Sequence, residues 1–200
     1  MPKPVLLLIW SMIIIFGCGG TEVIEVEEPP SHKMEEPEPA PSPTLVGDKA
    51  KLRELADRNV VSADEVITLS NRMLQEDIAI GLDDQTLDTL EKVLLTSLPQ
   101  CGKDSQAVMQ RNLGITYYYN KQYRKAQQVL QCANETNPRD ARTHYYLACL
   151  FNHQAKLSAA KGHQIKAKRQ QKRAQIEIDA ARKIDPGNPL YRKTLSLSGE

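Results

Sequence analysis

The sequence is poor in the large aromatic residues that fill extended hydrophobic cores. Its 200 residues include one tryptophan and two phenylalanines, and aromatic residues make up 5% of the chain. Because few large side chains are available for burial, the sequence predicts a packed part of modest size. It also lacks a charge excess: the net charge is +1. A chain so nearly neutral has no overall attraction to nucleic acids or to other polyanions.

Sequence motifs for chemistry are lacking as well. The chain has no glycine-rich phosphate loop, no nucleophile motif and no CxxC pair. Its four histidines have no carboxylate or cysteine at the spacing of metal ligands; they are His32, His144, His153 and His163. The sequence therefore predicts no catalytic residue, no metal site and no cofactor, and it favours a protein that is not an enzyme.

The N-terminal segment has the composition of an export signal. Lys3 precedes a mainly apolar run of twelve residues, Val5 to Phe16. A helix that crosses a bilayer needs about 20 residues, so this run is too short to span one. It has the length of the apolar region of a secretory signal peptide. We predict that residues 1–17 are a signal peptide and that the protein is exported.

The residues at the end of this run, from Ile15 to Cys18, resemble the lipobox of bacterial lipoproteins. The resemblance implies that Cys18 becomes the acylated N-terminus of the mature chain and anchors it in a membrane. Gly19 stands where an aspartate would retain a lipoprotein in the inner membrane, so the outer membrane is implied, with the protein facing the periplasm. A secreted protein that is cut after a small residue and carries no lipid is the alternative.

The segment after Cys18 is predicted to be a disordered linker. Residues 18–47 are rich in glutamate and proline, and residues 22–38 contain seven glutamates and one lysine. Such a segment has too few large apolar groups to offset the entropy lost on ordering. We expect a tether that holds the rest of the protein away from the membrane.

From residue 48 onward the pattern becomes helical, and no segment predicts a strand, so the expected fold class is all-α. Residues 48–106 are predicted to form N-terminal helices, with 62–98 as a candidate degenerate repeat. Ser62 and Glu65 have the spacing of a capping box. The apolar periodicity that follows predicts a helix that continues as far as Gly81.

Residues 107–140 have a set of small and large residues at fixed spacing that resembles a tetratricopeptide repeat (TPR), a helix–turn–helix unit of 34 residues. Seven of eight signature positions match, and Gln110 stands where tryptophan is usual; the matching residues are Leu113, Gly114, Tyr117, Ala126, Leu130, Ala133 and Pro138. Small residues allow the two antiparallel helices to approach closely. The resemblance implies a short solenoid of stacked hairpins.

The pattern returns in residues 141–187, but with an insertion. The first-helix residues of the pattern recur 34 residues later, as Leu147, Ala148 and Phe151. The second-helix residues and the closing proline recur 48 residues later, as Ala174, Ile178, Ala181 and Pro186. The fourteen extra residues predict that each helix is longer by seven residues, close to two turns. The turn between the helices is expected near Gly162. Residues 188–200 are predicted to form a truncated cap helix and a tail.

The lengthened hairpin is predicted to carry a positively charged arm. Residues 141–176 contain eight lysines and arginines and no acidic residue. The candidate arm cations are Lys156, Lys161, Lys166, Lys168, Arg169, Lys172 and Arg173. They could bind anionic lipid, a cell-wall polymer or an acidic protein, or they could simply form a solvated helix face.

TPR proteins bind peptides or partner helices on a concave wall made by their first helices. By repeat position, the residues expected on this wall are Arg111, Ile115, Tyr118, Arg142, Tyr145 and Asn152. Tyrosine and arginine are often the residues that dominate binding energy. The alternative is that these tyrosines pack between repeats. Arg111 and Ile115 stand where the family's carboxylate clamp has lysine and asparagine, so capture of a C-terminal carboxylate is not expected.

Three cysteines remain besides Cys18. Export permits a disulfide, and Cys132 could pair with either Cys101 or Cys149, which leaves one thiol free.

The resemblances together imply a membrane-anchored scaffold or adaptor that binds a protein of an envelope complex, as do pilotins of type IV pilus secretins and helpers of outer-membrane protein insertion. Nucleic acid is not an expected partner of an exported chain. The alternative is a structural tether, whose basic hairpin contacts anionic lipid or cell-wall polymer without selecting a peptide.

Overall fold

The computed structural model describes residues 43–58 and 61–192, and the regular secondary structure of this part is all helical. The predicted all-α fold class is therefore confirmed. The helices are α1 (Pro43–Asp57), α2 (Ala63–Met73), α3 (Glu76–Ala79), α4 (Asp84–Ser97), α5 (Lys103–Tyr119), α6 (Tyr123–Thr136), α7 (Ala141–Ala160), α8 (Gln164–Ile184) and α9 (Pro189–Arg192). A 3₁₀ turn at Leu98–Gln100 follows α4. None of the described helices is both long and apolar enough to cross a membrane.

Several sequence predictions concern residues outside the described part. The signal peptide at 1–17, the lipidation site Cys18, the linker up to residue 42 and the tail at 193–200 lie there. The end of the linker is corrected, because α1 begins at Pro43 and not after residue 47. Proline fits the first turn of a helix, where a backbone N–H has no helical partner. Leu52 and Leu55 of α1 are buried in the core.

The predicted capping box before α2 is wrong in its side-chain contacts. Ser62 occupies the N-cap position, but its side chain makes no capping hydrogen bond. Glu65 instead forms ion pairs with Lys51 of α1, at 2.9 Å, and with Arg58, which directly follows α1, at 3.3 Å. The electrostatic attraction between α1 and α2 therefore draws Glu65 away from the helix terminus.

The helix expected to run as far as Gly81 is interrupted. Helix α2 ends at Met73, and the chain turns at residues 74–75 before the short helix α3. The side chains of Met73 and Leu74 are completely buried, so tertiary packing fixes this turn. The end of α2 and the start of α3 therefore lie against other helices.

Helices α4 to α8 pack in chain order, and α5 also contacts α2 and α7. Small residues lie where the hairpin helices approach most closely. An ideal Cβ at Gly114 would lie 2.5 Å from Cγ of Leu130, which is closer than atoms can approach. Ala126 and Ala148 are completely buried. The size of these residues therefore sets the distance between neighbouring helices.

The turns of the α5–α6 and α7–α8 hairpins have the same hydrogen-bond pattern. The N–H groups of Lys121 and Gly162 donate to carbonyls three residues earlier, at 3.1 and 2.9 Å. Those of Gln122 and His163 donate to carbonyls five residues earlier, at 2.9 and 2.8 Å. This is the Schellman motif, whose left-handed residue has φ +57° at Lys121 and +75° at Gly162.

The position of the second turn divides the insertion equally between the two helices. Gly162 follows Lys121 by 41 residues, whereas the first-helix pattern recurs after 34 and the second-helix pattern after 48. Each arm of the α7–α8 hairpin is therefore longer by seven residues. Cross-hairpin contacts of Phe151 with Arg173 and of His144 with Glu177 show that the two helices run antiparallel.

Candidate binding surfaces

Arg111 lies at the centre of the wall that the sequence predicted on the first helices. Its guanidinium donates hydrogen bonds to Asp140, at 2.8 Å, and to Asn71 of α2, at 2.6 Å. The Arg111–Asp140 ion pair is nearly shielded, with side-chain exposures of 13% and 12%. Asp140 also accepts hydrogen bonds from the N–H groups of Arg142 and Thr143, which caps α7. Arg111 is thus held by contacts within the chain.

Residues 74–76 lie across the same wall at α7. The guanidinium of Arg142 donates to the backbone carbonyl of Leu74. The hydroxyl of Tyr145 donates to a carboxylate oxygen of Glu76 at 2.9 Å. Only 8% of Tyr145 is exposed, and burial raises the pKa of its hydroxyl far above the ordinary value. A segment of the chain therefore occupies this part of the predicted binding wall.

The structure corrects the prediction of an open wall. Ile115 is completely buried and belongs to the core, while Arg111 and Tyr145 are engaged by residues of the chain itself. Tyr118 and Asn152 remain partly exposed. Residues 74–76 cover part of the wall because the chain breaks at the end of α2, and this break has no local signal in the sequence.

The tyrosines of α5 to α7 form one cluster. The ring of Tyr118 packs edge-on against the rings of Tyr119, Tyr123 and Tyr146, with centroid distances of 5.4, 5.9 and 5.4 Å. The hydroxyls of Tyr119 and Tyr146 are 3.1 Å apart and share a hydrogen bond. Tyr146 thus packs between the two hairpins, and Tyr118 packs against it.

A buried polar contact between α2 and α5 was missed by the sequence analysis. The completely buried amide of Asn112 donates to Ser70 at 2.8 Å and to Asn71 at 3.0 Å. Ser70 is also completely buried. The available signal was a polar residue immediately before Leu113, next to the core face of the helix. This contact fixes the register of the two helices.

The three cysteines outside the N-terminal segment are free thiols, so neither candidate disulfide forms. Burial raises the pKa of the Cys149 thiol to about 12, which keeps it protonated and unreactive at neutral pH. Within residues 43–58 and 61–192, no group of histidine, cysteine and acidic side chains could hold a metal ion.

The outer part of the α7–α8 hairpin, residues 154–172, is here named the arm. Contacts with α6 mark its base: the His153 ring lies 4.1 Å from the Tyr123 ring, and Gln154 donates to Gln127 at 2.6 Å. Ala155 and Ala167 are buried between the two helices of the arm. Small side chains thus let the helices pack closely even beyond the main core.

The structure places six of the seven predicted cations on the arm and the seventh at its base. The guanidinium of Arg173 lies 4.2 Å from the ring of Phe151, so this cation is held by an aromatic contact. The other six form no ion pair with any described carboxylate; they are Lys156, Lys161, Lys166, Lys168, Arg169 and Lys172.

A pH-sensitive contact joins the base of the hairpin. Nε2 of His144 donates to the carbonyl of Pro138 at 3.0 Å, and Nδ1 lies 2.6 Å from a carboxylate oxygen of Glu177. Since both neighbours accept hydrogen bonds, both ring nitrogens carry protons. The hydrogen bond to Glu177 is the largest cause that raises the pKa of His144 above 6.5, and the charges of Glu177 and Asp140 add to it.

We expect the free energy of unfolding to fall as the pH rises through the raised pKa of His144. The folded state binds this proton more tightly than the unfolded state, so the stabilisation is complete below about pH 6.5 and is lost above the folded-state pKa. Urea unfolding of the wild type and Glu177→Gln across this range measures the difference. Parallel pH profiles for the two proteins would contradict the assignment to this pair.

Comparison with family models, with curated proteins and with solved structures finds no match to this chain.

Proposed function

We propose that this protein is a TPR-like scaffold, anchored to the outer membrane by an acylated Cys18, that binds a protein partner in envelope assembly and catalyses no reaction. The repeated Schellman turns at Lys121 and Gly162 support the repeat interpretation. The close approach of Gly114 to Leu130 supports it as well. The α5–α6 hairpin corresponds to the first unit, 107–140, and α7–α8 to the second, 141–187.

The observation that carries the proposal is the way residues 74–76 lie on the wall. Arg142 binds a backbone carbonyl, Leu74, and Tyr145 binds an acidic side chain, Glu76. These are contacts that a wall of arginine and tyrosine can make with any short acidic segment. The chain's own segment thus serves as an internal example of the ligand class: an extended or weakly helical peptide with an acidic side chain.

The part of the wall left open lies beside this segment. It includes Tyr118 on α5 and Asn152 on α7, which are both partly exposed. A protein partner can bind there directly, beside residues 74–76, which the completely buried side chain of Leu74 holds in place.

Site-specific photo-crosslinking in cells tests the proposal. A benzoylphenylalanine at Tyr118 preserves an aromatic ring at the open wall, whereas the same residue at Gln128, on the exposed side of α6, faces away from it. We expect irradiation to join the chain to a discrete protein from position 118 and not from position 128. Equal crosslinking from both positions, or none from 118, would contradict an adaptor that uses the wall.

The anchor gives a separate prediction. We expect Cys18→Ser to abolish acylation and to move the protein from the membrane fraction to the soluble fraction. Multiple acyl chains provide nearly all of the membrane affinity, at about 0.8 kcal/mol per buried methylene. Cys132→Ser, at an exposed thiol, is the matched control and should leave fractionation unchanged. Intact mass of the wild type tests the same point, because an unmodified mature N-terminus at another residue would refute the lipid anchor.

A further inference from the structure

The tip of the arm exposes two aliphatic side chains that no described residue covers. Ile165 follows the turn at Gly162 by three residues and is 89% exposed, and Leu157 on the facing helix is 48% exposed. Shallow depressions at the tip bring each of them together with Lys166 and His163. A bare isoleucine at the end of a projecting hairpin adds nothing to the packing of the fold.

The charges around these side chains have one sign. No acidic residue occurs between residues 141 and 176, and the six arm cations lack ion-pair partners in the described part of the chain. At about 100° per residue, Lys166, Lys168, Arg169 and Lys172 lie within about 160° of the circumference of α8, on the same side as Ile165. Lys161 lies beside Leu157, so cations flank both exposed aliphatic side chains.

This arrangement fits a deformable anionic surface better than a folded protein. A partner helix would need a continuous apolar strip or groove, but at the tip lysines and arginines separate Ile165 from Leu157. The interface of an anionic bilayer needs no such shape, since phosphates can gather around each cation while the aliphatic groups enter between the headgroups. Lysine and arginine stems can also lie along the apolar layer while their charges reach the phosphates.

We propose that the tip of the arm docks end-on to an anionic phospholipid bilayer, with Ile165 and Leu157 in the interface and the arm cations on lipid phosphates. This inference goes beyond the proposed scaffold function. It rests on the proposed function in one respect: the lipid anchor at Cys18 brings a bilayer within reach of the arm. A surface contact at the tip would add a second attachment point and restrict the orientation of the wall relative to the membrane.

Ile176 distinguishes end-on docking from a helix that lies flat. It follows Ile165 by eleven residues, so it is on nearly the same face of α8 but about 16 Å further from the tip. It is 58% exposed. Interfacial side chains enter the bilayer by only about 5–10 Å, so end-on docking leaves Ile176 in water.

Tryptophan fluorescence of the mature, acylated chain in vesicles tests the proposal. The one tryptophan of the sequence, Trp10, lies in the predicted signal peptide, so an introduced tryptophan is the only one in the processed chain. We expect Ile165→Trp to give a blue-shifted emission in phosphatidylglycerol vesicles but not in phosphatidylcholine vesicles, and Ile176→Trp to give no shift in either. The lipid anchor holds the chain at both kinds of vesicle, so it cannot produce this difference.

The charge dependence supplies the second measurement. In the Ile165→Trp background, replacing Lys166 and Arg169 with glutamine should lower the tip-binding constant by about thirtyfold, as expected for two cations near an anionic surface. An unshifted emission at position 165 would overturn the proposal, as would equal shifts in both lipids or at both positions. Crosslinking of the tip to an acidic protein without any lipid-dependent shift would overturn it in favour of a protein partner. None of these outcomes alters the crosslinking expected from Tyr118, so the two proposals fail separately.

Discussion

Gly114→Ala lowers the free energy of unfolding by about 1–3 kcal/mol, because the added methyl group overpacks the contact with Leu130. Its Cβ would lie 2.5 Å from Cγ and 2.8 Å from Cδ2 of that leucine. The loss is expected even though alanine is favoured over glycine in a helix by about 1 kcal/mol. Urea unfolding followed by circular dichroism measures it.

Two further variants make this test specific. Gly47→Ala, at a helical glycine whose added Cβ meets nothing within 4 Å, should stabilise the protein by up to about 1 kcal/mol. Leu130→Ala alone should cost about 2–5 kcal/mol through the cavity that it leaves. In the Leu130→Ala background, Gly114→Ala should no longer destabilise. If Gly114→Ala still lowers the free energy of unfolding in the Leu130→Ala protein, then Leu130 is not the residue that limits the approach of α5 and α6.

Removing the arm symmetrically should leave a folded domain. Deletion of Ala155–Lys161 together with His163–Arg169 joins Gln154 to Gly162 and Gly162 to Gln170. Gly162 then occupies the turn position that Lys121 occupies in the α5–α6 hairpin. The left-handed residue of the Schellman turn is thus preserved, with glycine in the favoured position. Seven residues are close to two helical turns, so the faces of α7 and α8 that pack together are nearly unchanged. We expect the same melting temperature within a few degrees and no tip-dependent lipid signal.

Each single deletion should be worse than the pair. It leaves one helix about 10 Å longer than the other. The unpaired seven residues then lose their packing at Ala155 or Ala167 and cannot remain helical alone. Circular dichroism should show a melting temperature lower by about 4 °C or more, as for a loss of 1–2 kcal/mol. A double deletion that unfolds while a single deletion is tolerated would show that the arm is part of the core.

The sequence predicted the features that depend on neighbouring residues. The resemblance to the repeat family identified the small residues at 114 and 126, and the shift of the repeated pattern placed the second turn near Gly162. The break after Met73 was not predictable in this way. The apolar period continues through Ile78, and the contacts that interrupt it, from Arg142 and Tyr145, are made by residues far along the chain.

The same limit applies to the candidate site. Repeat position identified Arg111, Arg142 and Tyr145 as residues of the wall, but not the segment that covers them. Ile115 shows a second limit, because it lies one turn after Arg111 on nearly the same face of α5 and yet is completely buried in the core. The arm was predictable because its charge pattern is local and uninterrupted.

The cover on the wall has a consequence for the order of folding. The hydrogen bonds that hold residues 74–76 in place join residues 68 and 69 positions apart, whereas Gln127–Gln154 and His144–Glu177 join residues 27 and 33 apart. Contacts between distant residues close larger loops at a greater entropic cost, so they tend to form later. We therefore expect the two hairpins to assemble before the segment docks on them. During that interval Arg142 and Tyr145 are uncovered, and the proposed partner can reach them without competition from residues 74–76.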